Sequence, residues 1–469
     1  MDDGPVPLLP HQEVSAAWLA QRRQAFLADQ MRVGKTPAVI RACDLIQAER
    51  ILVLCPSIAR TNWGREFARF SPRERNVCVW LTSTPSSDWR TISIVSYDLA
   101  IRNSVNSKLA SQTWDVVVLD EAHYLKEPTT QRTRAAYALA KGARCWRLSG
   151  TPAPNHYGEW YTHVKTAGLW TGSYEAFLDQ FCHWYRDEYN QIRVTGSQRA
   201  EQLSRLLAPF TLRRLLEDVV STLPPVEFIP VAVEARPVDI NRWWPMVGLK
   251  IESWSYYEQK ILEQCAAVDA MLKVAQAGDD FTHALGALQG PKSIDSRRYV
   301  GLSKTPAIAE MVAEELERGD YDKIVIFAWH KDVIHDLRER LAKFHPVSVF
   351  GGTPPLKRDR LAHEFRTKGR CRVFIGQILA AGVAIDLSVA SEVLFAEMSW
   401  VPGDNAQAAM RVHHLKQTKP VRVRVCSTAE TLDERVNHVL RRKTRDLTVL
   451  DLPATPPTVE GTQEASVWE

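Results

Sequence analysis

The stretch Asp115-Val116-Val117-Val118-Leu119-Asp120-Glu121-Ala122-His123 decides the fold. Its unbroken apolar run reads as a strand buried on both faces, the pattern of a parallel sheet covered by helices. Asp120 and Glu121 then emerge at the carboxyl end of the strand, where open α/β sheets bind ligands. An acidic strand-to-helix cap would account for one carboxylate, but for neither the pair nor the apolar strand that delivers it. Such a pair suits magnesium chemistry, with Asp120 as the anchor, usually through water, and Glu121 as the base that polarises an attacking water.

Upstream, Val33-Gly34-Lys35-Thr36 has the ending of a phosphate-binding loop. Gly34 lets backbone N–H groups approach phosphate at a helix start whose dipole favours anions. Lys35 would counter charge on the β and γ phosphates, and Thr36 would place its hydroxyl on magnesium. Pro37 sits in a first helical turn, where its missing N–H costs nothing. Asp29 stands where the GxxxxGK(S/T) pattern has its first glycine, so the loop alone is a weak match. With Asp120 and Glu121 it reads as a magnesium-ATP site.

Length and composition frame this site. A chain of 469 residues, 45% hydrophobic, is long enough for more than one domain and a sizeable core. The net charge of +4 leaves any nucleic-acid affinity to local basic surfaces rather than a global field. The eight cysteines lack CxxC spacing, and Cys55 and Cys145 fall in apolar runs, which suggests buried thiols in a reducing compartment. Met1-Asp2-Asp3-Gly4-Pro5 lacks a signal-peptide pattern and no apolar stretch is of bilayer length, so the expectation is an intracellular protein with no membrane partner.

Strand-like runs alternate with helical patterns twice: Ile51 to Leu54, Ile92 to Val95 and Val116 to Leu119, then Ile324 to Phe327, Val373 to Ile375 and Val393 to Phe395. This predicts an α/β protein of two parallel-sheet lobes. The first is expected over 1–222, with a helical insertion at about 156–210. The second is expected over 223–452, with a helical insertion at about 237–295. The proline- and threonine-rich segment 453–469 lacks periodicity and reads as disordered. Trp243, Trp244, Trp254, Tyr256 and Tyr257 in the second insertion could stack on bases, but their helical spacing favours a packed helix face. His413 and His414 have no cysteine or acidic partner at ligand spacing, so no structural metal is expected.

In this order the motifs resemble the Swi/Snf-type ATPases of helicase superfamily two, from about Leu8 to Leu452. Leu9-Pro10-His11-Gln12 resembles the adenine-reading Q motif. Leu52-Val53-Leu54-Cys55-Pro56 with Asn62-Trp63 resembles motif Ia, and Ile94-Val95-Ser96-Tyr97 motif Ib. Ser149-Gly150-Thr151-Pro152 matches motif III, which in the family couples the nucleotide site to DNA. Gln407-Ala408 with Arg411-Val412-His413 resembles motif VI. The annealing-helicase and fork-remodelling branches are nearest in flavour, and the chain looks like a minimal motor of bacterial or bacteriophage type.

The resemblance implies two RecA-like lobes closing on ATP and magnesium, with Gln12, Gly34, Lys35, Thr36 and Asp120 holding the nucleotide and metal. It implies Glu121 as base, with Gln407, Arg411 and His414 completing the catalytic set from the second lobe. DNA phosphates would be met by Ser57, Asn62, Ser96, Trp329, His330, Lys331, Thr353 and Arg358, within a basic stretch that continues through Lys357, Arg360, Arg366, Lys368, Arg370 and Arg372. Duplex or branched DNA is the implied track and a monomer the expected state. Single-strand-binding or replication proteins are the implied protein partners, and the cytoplasm or nucleoid the implied location.

Three motifs depart from the family. His414 and Lys416 replace an arginine and a glycine of motif VI, Arg32 replaces a loop glycine, and Ala384-Ile385-Asp386 replaces the glycine, leucine and asparagine of motif V. Arginine forks to two oxygens and is always charged, whereas histidine is mostly neutral near pH 7 and offers one donor. A slow ATPase is one consequence, and a weakly catalytic, ATP-gated DNA-binding scaffold is another reading. A strand-separating DNA or RNA helicase shares the same core residues.

Overall fold

The computed structural model describes residues 6–187, 189–219, 226–243, 291–381, 385–413, 417, 419–428, 431, 433, 440, 450 and 452–455. The chain divides into two compact units, Met1–Ser221 with Asp446–Glu469, and Thr222–Arg445.

The first unit is built on seven parallel strands: β1 Gln24–Leu27, β2 Ile51–Cys55, β3 Val77–Val79, β4 Ile92–Ser96, β5 Val116–Asp120, β6 Arg144–Leu148 and, after the insertion, β9 Thr211–Leu212. Their order across the sheet is β3-β4-β2-β5-β6-β1-β9. Successive side chains of a strand point to opposite faces. Thus Phe26, Leu52, Leu54, Val117 and Leu119 enter one hydrophobic core, while Ala25, Leu27, Val53, Val116 and Val118 enter another on the opposite face. A sheet buried on both sides needs strands without alternation, as the sequence of β5 indicates.

The insertion at about 156–210 is not wholly helical. It contains the helices Tyr161–Thr166, Tyr174–Phe181 and Ala200–Leu207, and also an antiparallel hairpin of β7 Cys182–Arg186 and β8 Ile192–Ser197. Trp184, Ile192 and Val194 pack against the core, which fixes the register of the pair. The turn is tied by Asp187, whose carboxylate accepts the N–H groups of Tyr189 and Gln191 at 3.0 and 2.8 Å. It carries none of the short glycine turns that would have announced a hairpin.

The second unit has six parallel strands: β10 Val226–Ala232, β11 Ile324–Ala328, β12 Val347–Val349, β13 Val373–Gln377, β14 Glu392–Phe395 and β15 Val421–Ser427, in the order β10-β15-β14-β11-β13-β12. Of its aromatic insertion, 244–290, with Trp244, Trp254, Tyr256 and Tyr257, lies outside the described residues. Trp243 packs against the core of this unit, with the Arg242 guanidinium 4.7 Å from its ring centroid. For this ring packing is the observed role.

The end of the chain corrects the expected boundary. Leu450 and Leu452 are buried in the core of the first unit, and the Arg213 N–H donates to the Pro453 carbonyl at 2.9 Å. The segment after Arg445 therefore belongs to the first unit rather than extending the second to 452. Pro453 is held by a backbone hydrogen bond, and residues 456–469 of the expected disordered tail lie outside the described residues. Among the described residues, no helix is long and apolar enough to cross a membrane, and no group of three or more His, Cys, Asp and Glu side chains could hold a metal by itself.

Candidate nucleotide and nucleic-acid site

The chain leaves β1 at Leu27 and turns into the helix Lys35–Leu45. Gly34 caps that helix with φ 100° and ψ 50°, a left-handed conformation that favours glycine. A Cβ here would fall 2.0 Å from Gln12 Nε2. Gln12 is buried, its Oε1 accepting the Leu9 N–H at 2.9 Å and its Nε2 donating to the Val33 carbonyl at 3.4 Å. His11 Nε2 lies 2.8 Å from the same carbonyl. The helix Pro10–Ala20 thus braces the loop through two side chains. The Lys35 ammonium donates to the carbonyls of Asp29 and Gln30 at 2.7 and 3.2 Å.

Two departures in the loop have structural explanations. Asp29 is 1% exposed, and its carboxylate pairs with Arg214 at 2.7 Å while accepting the Arg214 backbone N–H at 2.9 Å. The same guanidinium donates to the His11 carbonyl at 2.6 Å and to Ser15 Oγ. Asp29 therefore serves the interior and ties the loop to two distant segments. Arg32 has φ 72°, which is why glycine suits that position, and a side chain there costs about 1 kcal/mol.

Asp120 ends β5, with its carboxylate held by the Trp63 indole N–H at 2.8 Å and the Glu121 N–H at 3.0 Å. The Tyr97 hydroxyl donates to the Asp120 carbonyl at 2.7 Å. Burial, and then the neighbouring Glu121, push the Asp120 carboxyl up to about 6, against the opposing pull of Trp63 and Lys35. Glu121 has φ 50° and ψ 51°, a left-handed backbone that costs a non-glycine residue energy. His123 Nδ1 stands 3.2 Å from Glu121 Oε2 and 2.9 Å from Ser149 Oγ, which accepts the Thr151 N–H at 3.1 Å. A Cβ on Gly150 would lie 2.9 Å from Met31 Cγ and 3.0 Å from Met31 N. The Ser149-Gly150-Thr151 segment is therefore packed on the phosphate loop at Met31 and linked to Glu121 through His123.

The donor set fits a nucleoside triphosphate with a divalent cation. Gly34, left-handed and without a Cβ, keeps the loop backbone open at a helix start while Gln12 closes against it, Lys35 supplies a point charge whose field reaches Asp120, and Asp120 presents an oxygen ligand at the sheet's carboxyl edge.

The candidate DNA contacts separate into two groups. Asn62, Ser57 and Lys331 are exposed. Ser96 is 1% exposed, and its hydroxyl accepts the Leu99 N–H as a helix cap. Thr353 is buried, with Oγ1 accepting the Phe350 N–H at 3.1 Å. Arg358 donates to the carbonyls of Thr353, Ala380 and Gly351 at 2.8, 3.1 and 3.2 Å. The His330 ring lies 2.7 Å from Glu397 Oε1. These four side chains also brace loops, through a helix cap, carbonyl bonds and a carboxylate partner. In the basic stretch, Arg372 likewise donates to the carbonyls of Asp322, Leu316 and Tyr321, whereas Lys357, Arg360 and Arg370 are exposed.

In the second unit, Gln407 is buried on the helix Pro402–Ala409, and the Arg411 carbonyl accepts the Leu387 N–H at 3.1 Å. His414, Lys416 and Ala384 lie outside the described residues. Sequence reasoning missed the roles of Trp63, Tyr97 and Arg214 at the nucleotide site. Only Trp63 carried a signal, since a buried indole N–H needs an acceptor.

A phosphate loop and paired carboxylates at the carboxyl edge of one parallel sheet, followed in the chain by a second parallel-sheet unit, define a two-lobed P-loop nucleotide-hydrolase architecture. The SNF2-related domain matches residues 11–242, and the helicase conserved C-terminal domain matches residues 307–416. The chain belongs to the Swi/Snf-type ATPase family of helicase superfamily two. It is 28% identical over 451 residues to the SWI/SNF-related matrix-associated actin-dependent regulator of chromatin subfamily A-like protein 1 of Xenopus tropicalis, covering 94% of this chain and 44% of that protein. It is 24% identical over 454 residues to the DNA annealing helicase and endonuclease ZRANB3 of Mus musculus, covering 93% of this chain and 40% of that protein. The chain thus spans less than half the length of these curated relatives. The Sulfolobus solfataricus SWI2/SNF2 ATPase core in complex with dsDNA is similar at 22% identity, covering 94% of this chain and 92% of that one with a TM-score of 0.42.

Proposed function

We propose that this chain is an ATP-dependent motor that uses magnesium-ATP to move along duplex or branched DNA and remodel DNA or nucleoprotein. The observation that carries the reading is the gathering of three segments at one sheet edge: the loop at Gly34 and Lys35, the Asp120-Glu121 pair, and Ser149-Gly150-Thr151, which packs on Met31 of the loop and reaches Glu121 through His123. Lys35 would hold the β and γ phosphates, and Thr36 with Asp120 would hold magnesium, which supplies charge neutralisation on the transferred phosphoryl group. Glu121 would take the proton of the attacking water, with His123 orienting its carboxylate. Arg411 and Gln407 are the proposed contribution of the second unit. Exposed Asn62, Ser57, Lys331, Lys357, Arg360 and Arg370 are the proposed phosphate contacts.

The test is Glu121→Gln, which keeps size and hydrogen-bonding capacity but removes the base. Turnover should fall by at least roughly a hundredfold while duplex binding stays within about threefold. Near-normal turnover in that variant would refute the assignment.

A further inference from the structure

The side chains that grip Asp120 come from the segment bearing Ser57 and Asn62, assigned above to DNA, and from a second segment hydrogen-bonded to it. Trp63 lies in the helix Arg60–Phe70, is 1% exposed, and donates its indole N–H to Asp120 Oδ2 at 2.8 Å. Its sequence neighbour Asn62 is exposed. Tyr97 opens the helix Tyr97–Ala100 directly after β4, is 2% exposed, and donates its hydroxyl to the Asp120 carbonyl at 2.7 Å. The two segments are also tied at the surface. Asp98, next to Tyr97, accepts the Ser57 hydroxyl at 3.4 Å and pairs with Arg132 at 3.0 Å.

We propose that Trp63 and Tyr97 are positioning residues that transmit DNA contact to the magnesium-anchoring carboxylate. The inference rests on the magnesium-ATP reading of Asp120. A shift of the Arg60–Phe70 helix on binding a phosphate backbone moves the indole that fixes one carboxylate oxygen. Through the Ser57–Asp98 bond the same shift reaches the segment after β4 and moves the hydroxyl that fixes the backbone of Asp120. Asp120 is thereby held at its side chain by the track-facing segment and at its main chain by the segment bonded to it through Ser57 and Asp98. This route is separate from the His123–Ser149–Thr151 connection, which engages Glu121.

The test uses the full chain and equilibrium binding of a fluorescent, non-hydrolysable ATP analogue, titrated with magnesium with and without duplex DNA. In the wild type, duplex should lower the magnesium concentration for half-maximal binding. Trp63→Phe removes a charge-assisted hydrogen bond and should raise that concentration roughly tenfold. Tyr97→Phe removes one hydroxyl and should raise it roughly threefold. In both variants duplex should no longer shift the midpoint. A purely structural role would lower the melting temperature but leave the magnesium midpoint and its response to duplex intact. That outcome in either variant overturns the proposal. Should Trp63→Phe fail to fold, Tyr97→Phe decides the matter, because it removes only an oxygen. Magnesium-independent analogue binding in the wild type, or unweakened binding by Lys35→Ala, would overturn the magnesium-ATP reading and the coupling with it.

Discussion

Replacing Arg214 by alanine should be among the most damaging single changes in the first unit. Asp29 and Arg214 are 1% and 6% exposed, and their 2.7 Å pair is the charge partnership shown for that carboxylate. Arg214→Ala leaves a buried carboxylate with the backbone N–H of residue 214 as its remaining donor there, and removes the bonds to the His11 carbonyl and Ser15. Breaking a buried pair by removing one partner costs about 3–5 kcal/mol, because the remaining charge stays desolvated. Domain stability is only about 5–15 kcal/mol, so the loss is a large fraction of it. Urea unfolding followed by tryptophan fluorescence measures the effect as a lower midpoint for the first unit. The double variant Asp29→Asn with Arg214→Met removes both charges at similar volume and should recover at least about 2 kcal/mol relative to Arg214→Ala. A loss below about 1 kcal/mol for Arg214→Ala, or a double variant no more stable than the single one, would refute the reasoning.

Gly34→Ala should abolish nucleotide-analogue binding, because φ is 100° and the new Cβ would lie 2.0 Å from Gln12 Nε2. Adding Gln12→Ala relieves the overlap and should bring stability to within about 1 kcal/mol of the Gln12→Ala protein, the residual being the left-handed backbone cost; no rescue in the double variant would count against the geometry. His163 is fully buried, and burial holds its ring well below the usual histidine range, with Arg147 and His123 adding to the effect. The unfolded chain then binds a proton that the folded chain does not. This contribution is fully present above about pH 6.5 and is lost as pH falls toward the depressed folded value, at about 1.4 kcal/mol per pH unit. Urea midpoints between pH 7 and pH 5 should show a shallower decline in His163→Phe than in the wild type; equal slopes would contradict this.

What the sequence revealed and what it concealed follow from distance along the chain. The strands Ile51–Cys55, Ile92–Ser96 and Val116–Asp120 were legible because burial on both faces requires consecutive apolar residues, and the phosphate loop because glycine and lysine act within a few bonds of each other. Asp29 looked like a defective loop glycine because its partner lies 185 residues away. Ser96, Thr353 and Arg358 make capping and carbonyl bonds that composition does not reveal. The hairpin at Cys182–Ser197 was hidden by a turn built from an aspartate side chain, and the return of Leu450 and Leu452 to the first unit is a tertiary event with no local signature.

The most direct test of the central claim is phosphate release from magnesium-ATP with no nucleic acid, single-stranded DNA, duplex DNA, forked DNA or RNA, with Lys35→Ala as the control. A DNA motor predicts strong stimulation by duplex or forked DNA, weaker stimulation by single strands and RNA, and no release by Lys35→Ala. Release that no nucleic acid stimulates, or that survives Lys35→Ala, would contradict it.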